Sequence, residues 1–181
     1  QSAAQSLGGS LHRTLQAFHD RGGAEAVSPE ALKAALAERW SQAGYESHEE
    51  AAASRALGEE ILERYHQAAR EPGRETLATE VTVQRRYETF VLFGKIDRLD
   101  RRPDGALEVI DYKSGRYIHT EDDVRESLAM TVYQLLVARE NPGVAVYTGI
   151  LNLRTGDGAF VLRTEAEHLP RFLALSVSDD P

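Results

Sequence analysis

The 181-residue chain has no cysteine, one methionine and one tryptophan. Without thiols it can form no disulfide, no thiolate zinc site and no iron–sulfur cluster, which fits a reducing cytoplasm. No apolar run approaches the ~20 residues that a membrane-spanning helix needs. The small, polar residues at the start carry no secretory-signal pattern. Proline is scarce, at 6, and a hydrophobic content of 41% argues against disorder. Positive charge is also short: the net charge is −8, opposite to the excess usual in nucleic-acid binders. The length suits one domain with a real core. Because the chain opens at Gln1 without an initiator methionine, we expect a fragment or truncated product of a longer one.

The charge is unevenly spread. Residues 84–116 hold eight Lys/Arg and six Asp/Glu, a local +2 in a chain whose remainder is −10. An acidic protein can bind a polyanion through such a stripe.

Residues 1–73 read as helical and 74–181 as a sheet with one helix. Leu7, Leu11, Leu15 and Phe18 recur at helical spacing. Ser28 before Pro29 and Glu30 is an N-terminal cap signal for a helix running toward Gly44. A third helix is expected over 47–70. The period then shifts to alternation, giving strands over 76–88, 89–100 and 106–114, the last two joined by the turn sequence RRPDG. One helix over 122–141 and a closing hairpin whose second strand covers 159–163 complete the order. This predicts an α/β (α+β) domain, a central mixed sheet flanked by helices.

The third strand ends in EVIDYKSG (108–115). Side chains alternate along a strand, so Leu107, Val109, Asp111 and Lys113 share one face, apolar at its start and charged at its end. Val91, Phe93, Lys95 and Asp97 show the same gradient one strand earlier. Asp97 lies near the turn and Asp111 nearer the far end, so the two converge only across a wide or bulged turn. They share a face only if the residue numbers of opposed partners sum to an even value. Two converging carboxylates repel and favour a divalent cation between them. Oxygen ligands without thiols suit Mg²⁺ or Mn²⁺, one or two ions. A lysine beside them offers charge to a phosphate without occupying a coordination position. The competing reading is a solvated strand-end ion pair, worth little. The upstream GKID (94–97) weighs against it.

GKIDRLD (94–100) followed by VIDYKSG (109–115) resembles the RecB-like branch of the PD-(D/E)XK nucleases, a family that includes RecB- and AddAB-type nuclease domains and stand-alone RecB-family exonucleases. The resemblance spans residues 7–140, including Gly8 and His12 at the family's Gly-x-x-x-His spacing. Ile96 stands where the superfamily's name has proline, as is usual in this branch, and the family's tyrosine four residues after Gln134 is Ala138 here. The resemblance implies a restriction-endonuclease-like core with His12, Asp97, Asp111 and the Tyr112 carbonyl as metal ligands. It implies Lys113 as the catalytic lysine, Asp97 and Asp111 as catalytic carboxylates, and Glu80, Gln134 and Tyr133 as accessory groups.

The expected activity is metal-dependent hydrolysis of DNA phosphodiesters, as an exonuclease in repair or recombination. DNA, as single strands or duplex ends, would be the partner, with a separate or fused helicase and no membrane. The setting would be bacterial or archaeal cytoplasm, at the nucleoid. The alternative is a non-catalytic nucleic-acid-binding or scaffold module of a helicase–nuclease complex. Arg85, Arg86, Arg98, Arg101, Arg102 and Arg116 are candidates for phosphate contact, most of them expected to be solvated.

Overall fold

The apolar stripe at the N-terminus forms helix α1 (Ala3–Asp20), in which Leu7, Leu11, Leu15 and Phe18 are buried. The computed structural model describes residues 2–162. Ser2 and Gln5 close a capping box at the start of α1, satisfying backbone N–H groups that a helix leaves unpaired. Helix α2 (Pro29–Arg39) starts on the Ser28 cap but stops five residues short of Gly44. The reason is tertiary. Arg13 donates to the Arg39 carbonyl at 2.9 Å, and the Ser41 amide donates to the buried Ser10 hydroxyl of α1 at 3.0 Å. Those bonds hold Trp40 extended and draw the following segment across α1. Helix α3 (His48–Ala68) follows and buries Ile61, Leu62 and Tyr65.

The strands are β1 (Glu75–Arg86), β2 (Val91–Arg101), β3 (Leu107–Lys113), β4 (Val146–Asn152) and β5 (Gly158–Leu162). They form one sheet in sequence order, antiparallel throughout except for the parallel β3–β4 pair. A parallel pair needs a crossover, which the helical segment between β3 and β4 supplies. That segment is two helices, not the single one expected over 122–141: α4 (Glu121–Glu126) and α5 (Leu128–Glu140). Ser127 is extended, closes α4 and caps the amide of Met130 in α5, so one residue ends one helix and starts the next. The closing strand, expected to reach Arg163, is described to Leu162; Arg163 lies outside the described residues.

The architecture is α+β. One face of the sheet packs Ile110 and Tyr112 against α1, α2 and α3. The other packs Ile96, Leu107, Val109 and Val146 against Val137 of α5. Among the described residues no helix is long and apolar enough to cross a membrane.

Candidate active site

The turn between β2 and β3 is tight. Gly105, at φ +84°, lets the Arg102 amide reach the Ala106 carbonyl at 2.8 Å. The register therefore runs Arg101↔Leu107 to Arg98↔Ile110, and one further step sets Asp97 opposite Asp111. The expectation that Asp97 lies nearer the turn is corrected: both are the same number of residues from Asp104, and the sum of opposed partners is even. Pairing stops at Arg98↔Ile110, although both strands continue. From there β2 stays with β1 and β3 stays with β4. The two carboxylates sit where the sheet forks. Asp97 accepts the Tyr112 amide at 2.7 Å, using an N–H that the fork leaves without a ladder partner.

A second local feature brings in Glu80. Thr79 bonds Asp20 of α1, whereas Val81 packs in the cluster under α5. Opposite them, Arg98 bonds groups on the α1–α3 side and Ile96 packs under α5. Both strands exchange faces at Glu80 and Asp97, and Glu80 takes φ +49°, the one positive φ of a non-glycine among the described residues. Such a backbone costs of order 1–3 kcal/mol and persists where its surroundings impose it.

From α1, His12 reaches into the fork. Its Nδ1 lies 3.6 Å from Asp97 Oδ1 and 3.8 Å from Glu80 Oε1. One ligand atom from each of His12, Glu80 and Asp97 falls within 4.8 Å of the others. His12 Nε2 lies 3.2 Å from the Tyr112 carbonyl and donates to it, which orients Nδ1 toward the carboxylates. The carbonyl that the resemblance makes a metal ligand therefore holds the histidine here. Gly8 permits this approach, since a Cβ there would lie 2.9 Å from Ser114 Oγ at the end of β3. Burial disfavours the imidazolium, but the Asp97 hydrogen bond and charge, with the Glu80 charge, outweigh it and raise the His12 pKa. A proton and a metal cation compete for this place.

Asp111 is mostly buried, and burial raises its pKa. The Lys113 ammonium, 2.6 Å from its Oδ2, opposes the shift, and Asp97 adds to it. Lys113 and Asp111 thus lie beside the trio and pair with each other. Tyr133 of α5 packs on Gly94, where a Cβ would come within 2.5 Å of its ring. Burial, then the charges of Asp111 and Asp97, raises its hydroxyl pKa. Gln134 is buried on α5. Sequence reasoning missed Lys95, which ion-pairs with Glu80; the signal was its place in GKID, two residues before Asp97. Arg98 is not a phosphate contact: it is 8% exposed and pairs with Asp100 at 2.9 Å on the opposite face.

One imidazole nitrogen, clustered carboxylate oxygens and no thiol fit a hard divalent cation. Its holders would be His12, Glu80 and Asp97, with Asp111 within electrostatic reach of Asp97 and His12. No curated protein matches the chain at a significant level. A family model described as the PD-(D/E)XK nuclease superfamily matches residues 1–176. A forked sheet with its carboxylates and lysine at the split, and a family match over nearly its whole length, show that the chain belongs to the PD-(D/E)XK nuclease superfamily.

Proposed function

We propose that the chain is a Mg²⁺- or Mn²⁺-dependent DNA nuclease of the RecB-like branch, acting as an exonuclease. The observation that carries this reading is the fork, which gathers His12, Glu80 and Asp97 within 4.8 Å beside the Asp111–Lys113 pair. His12 Nδ1, Glu80, Asp97 and Asp111 would hold the cation. A divalent ion there supplies Lewis-acid activation of water and offsets charge gathering on the phosphodiester. The chain's own groups do the rest. The Tyr112 carbonyl fixes the histidine ring, and its amide fixes Asp97. Were Asp111 to serve as a ligand, Lys113 would be free of its ion pair to hold a phosphate oxygen or orient the attacking water, a role suited to a compact charge on a flexible stem. The RecB-like resemblance points to work in DNA repair or recombination beside a helicase.

The test compares cleavage of linear and covalently closed circular DNA in Mn²⁺, with calorimetric titration of Mn²⁺. Linear DNA should be degraded and circles spared. Asp111→Asn and Lys113→Ala should each lower the rate by at least about 100-fold while circular dichroism shows an unchanged fold. Unchanged rates in either variant would sink the assignment. A chain that binds no Mn²⁺ would instead be the scaffold module.

A further inference from the structure

Beyond the fork, β1 and β2 continue as a two-stranded hairpin that no other strand among the described residues joins. Its two faces differ. Val81, Val83, Gly94 and Ile96 turn toward α5, with Gly94 and Ile96 buried. Thr82, Gln84, Arg86, Val91, Phe93 and Lys95 alternate with them, and all six are exposed. Phe93 is the extreme case at 69% exposure, with Val91 at 42%. One exposed apolar side chain is ordinary. Its surroundings here are not. Phe93 stands between Lys95 toward the fork and Arg86 toward the tip, opposite Gln84. Of these six side chains two are cations and none is a carboxylate, in a chain of net charge −8; Lys95 shares its charge with Glu80 at the fork, and Arg86 has no such partner among the ion pairs of the described residues.

The face is continuous with the candidate site. Lys95 pairs with Glu80, one of the three clustered ligands. Phe93 is four residues from Asp97, roughly 13 Å along an extended strand. The tip is aromatic: the rings of Tyr87 and Phe90 stack at 4.7 Å, and Arg85 lies 5.7 Å over Tyr87.

We propose that this hairpin face is a binding platform for single-stranded nucleic acid, with Phe93 stacking on an unpaired base and Arg86 and Lys95 holding the flanking phosphates, so that the strand is led toward the fork. The inference rests on the nuclease reading and narrows its substrate to a single strand. The chemistry favours an unpaired strand because a flat exposed ring flanked by cations matches a base flanked by phosphates. In a duplex the base faces are already stacked. Stacking of this kind tolerates any base.

Binding is measured by fluorescence anisotropy of a labelled single-stranded oligonucleotide and by quenching of a 2-aminopurine placed within it, all in an Asp111→Asn background that prevents cleavage. Phe93→Leu, which keeps the apolar bulk but loses the ring, should weaken binding by about 5- to 150-fold and abolish the quenching. Phe93→Trp should keep both, and the matching duplex should show no Phe93 dependence. Equal affinity of Phe93→Leu and its parent, or a parent that binds no single strand, overturns the proposal. So does a dimer in sedimentation that Phe93→Asp dissolves without changing DNA affinity, which would make the face a protein contact. The two readings fail separately. Cleavage by the native chain without a Phe93 effect on binding removes only the platform. A Phe93-dependent quenching signal in a chain that cleaves nothing removes only the nuclease.

Discussion

Two pairs of acids face each other across the same β2–β3 hairpin, three residues apart, and they have opposite fates. Asp97 and Asp111 stand at the fork; Asp100 and Glu108 are directly opposed on the other face. Asp100 and Glu108 are enclosed by arginines. Arg98 and Arg74 lie 2.9 and 3.2 Å from Asp100, and Arg74 and Arg102 lie 2.6 and 3.0 Å from Glu108. At the fork the counter-charges are Lys95 and Lys113, with side chains 62% and 44% exposed, and a histidine. The Arg98 side chain is 10% exposed. A buried guanidinium is permanently charged and held in a fixed plane, whereas a lysine on a solvent-reaching stem can swing away and an imidazolium can release its proton. The difference between a structural acid pair and a candidate metal site thus lies less in the acids than in how removable their partners are.

The largest effect that separates the two pairs is on stability. Asp100→Ala removes one partner from a buried network and leaves arginine charge uncompensated, at a cost of roughly 3–5 kcal/mol. Asp97→Asn keeps an acceptor for the Tyr112 amide and relieves repulsion with Glu80 and Asp111, so its cost should stay within about 1 kcal/mol. Urea unfolding of both variants reads this directly, and cleavage per folded molecule should survive in Asp100→Ala alone. A comparable loss of stability in Asp97→Asn would make the fork a second structural network.

Helix α1 sends one histidine to each cluster, and their contributions to stability should respond to pH in opposite directions. His19 is enclosed by the Tyr65 hydroxyl at 2.6 Å, the Thr76 hydroxyl at 3.0 Å and Arg98 at 2.9 Å. Burial and the Arg98 charge lower its pKa to about 3. The unfolded chain, near pH 6.5, takes up a proton there first, so stability falls as pH drops below 6.5 toward 3. At pH 5 the loss is about 2 kcal/mol. His12 has a raised pKa, so its contribution is present at low pH and fades as pH rises through the folded value. Comparing unfolding at pH 7 and pH 5, His19→Gln should flatten the acid loss and His12→Gln should steepen it. The same slope in both variants would mean that the two histidines do not sit in contrasting fields.

The sequence disclosed the layers and the motif because those depend on local pattern. The Leu7–Leu11–Leu15–Phe18 stripe, the alternation in β3 and the Asp111/Lys113 spacing each lie within one element. What it concealed depends on distant contacts. The early end of α2 needs Arg13 and Ser10 of another helix. The break at Ser127 separates two helices that no proline or glycine divides. Asp100 and Glu108 resemble site acids until Arg74, 26 and 34 residues away, is seen between them. Glu80 reads as an accessory group only through the family resemblance, because a left-handed backbone in a strand is written in no local preference.

The smallest expected effect is also the sharpest test of that last residue. Glu80 holds φ +49° at the point where β1 and β2 exchange faces, a conformation that glycine adopts freely and alanine does not. Both Glu80→Gly and Glu80→Ala remove the carboxylate and its ion pair with Lys95, so any difference between them reports the backbone alone. Glycine should be the more stable variant by about 1 kcal/mol in thermal unfolding, against its usual disadvantage in a strand. Both should weaken Mn²⁺ binding to the same extent, because each lacks the same ligand. An alanine variant as stable as the glycine one would show that the strand relaxes once the carboxylate is gone, placing the strain in the side chain's contacts. A retained gap would place it in the fold, which then holds Glu80 toward Asp97 and His12 whether or not a cation is bound.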